Sequence, residues 1–118
     1  MRPLVTLVAG GDPAAREAAL ARKVNAAHHA SQTAIILEGK PDNAANFDPG
    51  IQIIRLAPGC PCCTGNLVMR VTLNRLLRQP PAQLYISIAD AGHLAATRSF
   101  LTQSPYDSLI TLGDDLLS

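Results

Sequence analysis

Residues 3–13 read PLVTLVAGGDP, and this stretch decides the fold. Pro3 to Ala9 is a short apolar run bounded by a proline on one side and Gly10-Gly11 on the other, the pattern of a buried strand. Asp12-Pro13 then supplies a side-chain acceptor at the N-cap and a proline at the first helical position, where its missing N–H costs nothing. Beyond it Leu20, Val24 and Ala27 fall on one stripe, with Arg16, Arg22 and Lys23 expected outside it. The spacing predicts a helix ending near His29. A strand, a glycine turn and a helix open an α/β unit.

The alternation continues along the chain. Thr33 to Leu37 reads as a second strand, followed by GKPDNAANFDPG, a polar loop from 39 to 50. Ile51 to Leu56 is a third strand. The turn Ala57-Pro58-Gly59-Cys60-Pro61-Cys62-Cys63-Thr64 feeds a helix with Met69, Leu73, Leu76 and Leu77 on one face, stopped at Pro80-Pro81. Leu84 to Ala89 predicts a fourth strand, Gly92 to Leu101 a helix, and Leu109 to Leu112 a short fifth strand ending at Gly113. Strands apolar on both faces and separated by helices imply a three-layer αβα domain with a mostly parallel sheet, spanning residues 1–118 as one unit. Ligands of such sheets sit at the carboxyl ends of the strands, so the glycine turn and the cysteine turn are expected at one edge.

Composition narrows the function classes. A chain of 118 residues, 47% hydrophobic, supports one core. With two Tyr, two Phe and no Trp, that core must be aliphatic. A net charge of +1 with interspersed acids and bases gives no electrostatic footprint for nucleic acid or a membrane surface. The apolar run in MRPLVTLVAG is too short for a secretory signal or a membrane span, and a cytoplasmic location is expected. The cysteines, Cys60, Cys62 and Cys63, crowd into four positions. A disulfide framework needs spaced pairs, so the cluster points to metal or redox chemistry.

The first turn has the setting of a phosphate-binding P-loop, GxxxxGK[ST], but not its residues. Laid on Gly10, the pattern gives Gly10-Gly11-Asp12-Pro13-Ala14-Ala15-Arg16-Glu17. Ala15 replaces the glycine that lets phosphate approach the backbone, and Arg16 replaces the compact lysine ammonium with a planar fork. Glu17 puts a carboxylate where a hydroxyl would hold a metal. Asp12 as N-cap places its own negative charge where a phosphate would lie, and Pro13 removes an amide donor. No nucleotide is expected here, and GTP hydrolysis least of all.

The cysteine turn carries the positive signal. Cys60, Cys62 and Cys63 offer soft thiolates suited to zinc or a similar soft divalent metal, or to copper(I). A helix starting near Thr64 would favour the thiolate form. Three ligands leave a fourth position open, for which His93, Glu38 and Asp90 are the second-tier candidates. Cys60 and Cys63 also spell the C-x-x-C dithiol pattern. Buried, idle thiols are the remaining alternative.

These residues bring the chain to a recognisable pattern. LAPGCPCCTGNLVMRVTLNRLLR (56–78), followed by LYISIADAGHLAATRSFL (84–101), resembles the CobW-type P-loop GTPases, relatives of the nickel-insertion GTPases of urease and hydrogenase maturation. The resemblance spans nearly the whole chain and corresponds to the first half or so of the family's GTPase domain. It implies a P-loop-type α/β fold, a metal site at Cys60, Cys62 and Cys63, and a role in delivering zinc or cobalt to a recipient or regulatory protein. The departures at Ala15, Arg16 and Glu17, and the lack of any N-K-x-D base-reading motif, imply a degenerate, non-catalytic member. The family's acidic residue on the fourth strand falls on Ala89, one position before Asp90. His28 and His29 read as helix-terminus residues, and Arg70, Arg75 and Arg78 as an exposed helix face. A fifth strand at a sheet edge makes a homodimer a further expectation.

Overall fold

Short runs of Val, Ile and Leu punctuated by Gly, Pro and Asp give the chain its strands, and helical stripes fill the intervals. The computed structural model describes residues 3–9, 13–26, 32–38, 51–56, 64–88, 91–103, 106–113 and 116–117. Its elements run β1 (Leu4–Ala9), α1 (Pro13–Ala26), β2 (Thr33–Glu38), β3 (Gln52–Leu56), α2 (Thr64–Leu76) and β4 (Gln83–Ser87). A 3-10 turn (Ala91–His93) then leads into α3 (Leu94–Leu101), α4 (Tyr106–Leu109), β5 (Thr111–Leu112) and β6 (Leu116–Leu117). The strands form one sheet in the order β3-β2-β4-β1-β5, with β6 pairing β1 further along. Every strand pair is parallel. The expected three-layer α/β architecture is the one found.

Strand order and handedness together assign the helices to faces. From β1 the chain passes over β4 to β2; from β3 it returns over β2 to β4; from β4 it continues over β1 to β5. Right-handed crossovers running in opposite directions must lie on opposite faces. The packing obeys this. On one face Leu20 and Val24 of α1 cover Val8, Ile35, Leu37 and Tyr85. On the other, Leu73 and Leu76 of α2, Leu101 of α3 and Tyr106 of α4 cover Val5, Leu7, Ala34, Ile36, Leu84 and Ile86. Alternate residues of each central strand therefore serve different cores, which is why β1, β2 and β4 carry no charged side chain in their described interiors.

The second core is tied laterally by its few aromatics. The Phe100 and Tyr106 rings meet at 5.0 Å, and the Tyr106 hydroxyl donates to Asn74 Oδ1 on α2 at 3.1 Å. Arg70, exposed as expected, lays its guanidinium over the Phe100 ring at 5.7 Å. Gly113 follows β5 where a β-carbon would come within 3.2 Å of Leu4 Cδ1, and the Arg98 guanidinium donates to its carbonyl at 2.8 Å.

Several expectations need correction. Arg16, placed outside the α1 stripe, is 2% exposed. It stands four residues before Leu20 and eight before Val24, so spacing puts it on the buried stripe and its charge does not remove it. The strand β3 is not apolar on both faces: Gln52, Ile53 and Arg55 are exposed because it is an edge strand. The second helix ends at Leu76, and the chain turns through 77–79 before the prolines. Leu109 belongs to α4 rather than to the fifth strand, and neither α4 nor β6 was expected. Ala27, His28, His29, the loop from 39 to 50, and Asp114 and Asp115 lie outside the described residues. Among the described residues no helix is long and apolar enough to cross a membrane.

Two measurements test this packing. Leu73→Ala, at a side chain with no exposure, should lower stability by about 2–5 kcal/mol in urea unfolding, whereas Val71→Ala, on the exposed side of α2, should stay within about 0.5 kcal/mol. Burial raises the Tyr85 phenol above its ordinary 10.0, and burial raises Tyr106 despite the opposing charge of Arg70. The unfolded chain therefore gives up these protons first. Their contribution is intact below pH 10 and is lost as pH climbs through the higher folded values, so unfolding free energy should fall on the alkaline side. Tyr85→Phe with Tyr106→Phe should flatten that fall.

Candidate functional site at the carboxyl edge

The connection leaving β1 crosses one face of the sheet, and the connection leaving its neighbour β4 crosses the other. A crevice opens beyond the carboxyl ends of two such strands, the usual ligand position in open α/β sheets. Register fixes what borders it. Ser87 of β4 stands beside Val8 of β1 and Leu37 of β2, and Glu38 closes β2 beside Leu56 of β3. The backbone continues the ladder one residue further, with the Ile88 N–H donating to the Val8 carbonyl at 2.8 Å.

Two consecutive residues of α1 reach down onto this edge. The Arg16 Nε donates to Ser87 Oγ at 3.3 Å, and both residues are 2% exposed. Ser87 faces α1 because it alternates with Tyr85, which packs in the core beneath that helix. Glu17, next along α1, accepts from the Arg55 guanidinium at 3.2 Å. Arg55 is paired with Leu37 across β2 and β3, and Leu37 belongs to the α1 core, so the arginine stem rises on the α1 side. The Glu17 side chain is 5% exposed and Arg55's 32%, making a pair closed at the carboxylate and open at the guanidinium.

The positions that a P-loop would give to lysine and serine or threonine are thus occupied by side chains engaged within the protein. A lysine serving a triphosphate needs its ammonium forward, in reach of anionic oxygens. Here the cation lies under the helix on Ser87, and the next residue brings a buried carboxylate. Ala15 is exposed on α1. Gly10, Gly11 and Asp12 lie outside the described residues.

Cys60, Cys62 and Cys63 also lie outside them, in the connection from the carboxyl end of β3 to the first residue of α2. The helix start expected near Thr64 is found there. Of the second-tier ligands, Asp90 is outside the described residues, Glu38 is the last residue of β2, and His93 ends the 3-10 turn after β4. His93 is half-buried, and its carbonyl accepts from the Thr97 hydroxyl at 2.9 Å. Among the described residues no three His, Cys, Asp or Glu side chains gather as a metal cluster. The fit of a metal therefore rests on the donor chemistry of the cysteine turn, which suits a soft cation.

Sequence reasoning did not single out Ser87 or Arg55. The signal was present as one polar residue in LYISIA and one charge in QIIRL, each odd for a strand of its kind. Arg16→Ala should destabilise by roughly 2–4 kcal/mol through lost stem packing and an orphaned site, well beyond an exposed arginine such as Arg22. Arg55→Ala should cost roughly 1–3 kcal/mol because it leaves Glu17 buried, and the double change with Glu17→Ala should cost less than the two single changes summed. Urea unfolding of the parent chain and of each of these variants checks both. No family model, curated protein or solved structure matches this chain.

Proposed function

We propose that the chain is a non-catalytic domain derived from a CobW-type GTPase, and that it binds a soft divalent metal, zinc foremost, through Cys60, Cys62 and Cys63. The observation that carries the non-catalytic half is the engagement of Arg16 with Ser87 and of Glu17 with Arg55. A phosphate cradle works by leaving a cation and backbone amides open to the ligand, whereas Arg16 is engaged internally on Ser87. Descent from a P-loop ancestor is supported by the sheet. The strand before the glycine turn lies directly beside β4, and the two send their connections to opposite faces.

The metal half draws on sequence and connectivity. The cysteine turn leaves β3 at the carboxyl edge, the same edge on which β1 ends before Gly10. The turn enters α2, whose positive end favours thiolates. His93, Glu38 or Asp90 would complete a four-ligand set from neighbouring strand ends. The reading extends to a cytoplasmic domain that hands metal to, or senses it for, a recipient protein, with a homodimer as one form of partnership. If the thiols are idle, the same domain serves as a pseudo-GTPase interaction module. If Cys60 and Cys63 cycle between dithiol and disulfide, it is a redox protein.

Cobalt(II) titration of the fully reduced protein should produce a thiolate charge-transfer band saturating near about one ion per chain, abolished by Cys→Ser at the three positions. Absence of that band would remove the metal reading. Calorimetry with GTP and magnesium should show no binding; a saturable heat would instead remove the non-catalytic one.

A further inference from the structure

The opposite edge of the sheet carries a second concave site. There Gln52, the first residue of β3, faces the last turns of α2 and the residues after it, and a cavity of about 320 Å³ is lined by Gln52, Arg75, Leu76, Arg78 and Gln79. We propose that this cavity binds a small phosphate-bearing ligand, held by Arg75 and Arg78 and oriented by Gln52 and Gln79. Arg75 lies in the last turn of α2, and Arg78 follows in a tighter turn whose N–H groups bond three residues back, a geometry that keeps positions three apart on one side. Two like charges at that spacing repel until an anion lies between them. Among the described residues no carboxylate lines the cavity and neither guanidinium forms an ion pair. Both arginines are exposed, while Leu76 is 4% exposed and gives the cavity an apolar floor.

Helix polarity opposes an anion here, since α2 presents its negative end. That end is partly spent. The Leu73, Arg75 and Leu76 carbonyls accept from the N–H groups of Leu77, Arg78 and Gln79 at 2.9, 3.4 and 3.2 Å. Two full positive charges outweigh the remaining partial one, and guanidinium forks match phosphate oxygens in pairs. The carboxamides add donors and acceptors for hydroxyl or ester oxygens. The volume lies at the small end for ligand pockets, and among the described residues no aromatic lines it to stack a base. Those facts favour a compact phosphate or pyrophosphate compound over a nucleotide. The length of β3, about 13 Å, separates this cavity from the carboxyl end of that strand, so it is a distinct site and stands or falls apart from the metal reading.

Calorimetric titration of the whole chain with inorganic pyrophosphate tests it. Saturable binding is expected, weakened roughly tenfold or more by Arg75→Gln with Arg78→Gln and by raised salt, and unchanged by Arg22→Gln on α1. In the unaltered protein, pyrophosphate should also shield Arg75 and Arg78 from phenylglyoxal, read by mass spectrometry. No saturable binding, binding that survives the double substitution, or equal or tighter binding of citrate would overturn the assignment.

Discussion

The structure depends on the insertion of β4 between β1 and β2. Parallel strands cannot be joined by tight turns, so each connection must climb over a face of the sheet, and a right-handed climb leaves no choice of face once the direction is known. Placing β4 in the middle forces the chain to travel one way after β1 and the other way after β3 and β4. One helix is thereby committed to the first face and three to the second. The same reversal puts a topological switch point at the carboxyl ends of β1 and β4, the usual ligand position in open α/β sheets. Fold and candidate site are consequences of one topological fact.

What α1 sets at that edge is a matter of charge burial. Taking a guanidinium out of water costs several kcal/mol before any partner offsets it, so Arg16 would not remain at 2% exposure without strong local compensation. The Ser87 hydroxyl supplies part of it, and the long apolar stem packs on the stripe that Leu20 and Val24 continue. Glu17 and Arg55 repeat the arrangement one residue on, with the more hydrated guanidinium left outward. A helix held by these contacts is held at its amino-terminal portion, where a phosphate-binding fold would keep its amides and cation available. Such a site gives up ligand capacity for internal satisfaction, which is what the proposed non-catalytic reading draws on.

The sequence makes the large elements legible because each is both patterned and punctuated. Leu4–Ala9 lies between Pro3 and the paired glycines, and Thr64–Leu76 lies between the cysteine turn and Pro80-Pro81. Tyr106–Leu109 and Leu116–Leu117 span one helical turn and a single pair of bridges, lengths at which no period can register. Arg16 shows a different failure. Its spacing marks it as core and its charge marks it as surface, and the charge rule prevails unless a partner is known. That partner is Ser87, 71 residues away, and no local pattern announces a pairing at that distance. Arg55 and Glu17, 38 apart, are hidden for the same reason. The cysteine turn is legible as donor chemistry alone, since spacing states which ligands are near one another but not what closes the set.

The arginines show how the chain distributes positive charge. Arg16 is buried on a hydroxyl, Arg55 leans on Glu17, Arg70 stacks on Phe100, and Arg98 reaches the Gly113 carbonyl at the break after β5. Each of these has a structural task that a bland exposed charge would not require. Arg75 and Arg78 differ: they stand at and just after the end of α2, exposed, and open onto a concavity with no acid among its described lining residues. The chain has nearly balanced charge, with 10 basic and 9 acidic residues, yet among the described residues no carboxylate borders this pair. Repulsion that is tolerated rather than relieved points outward, toward an anion that the protein does not itself supply. The carboxyl edge turns its cation inward onto Ser87 and the amino edge turns two outward, so it is at the amino edge that side chains are placed to meet the proposed phosphate.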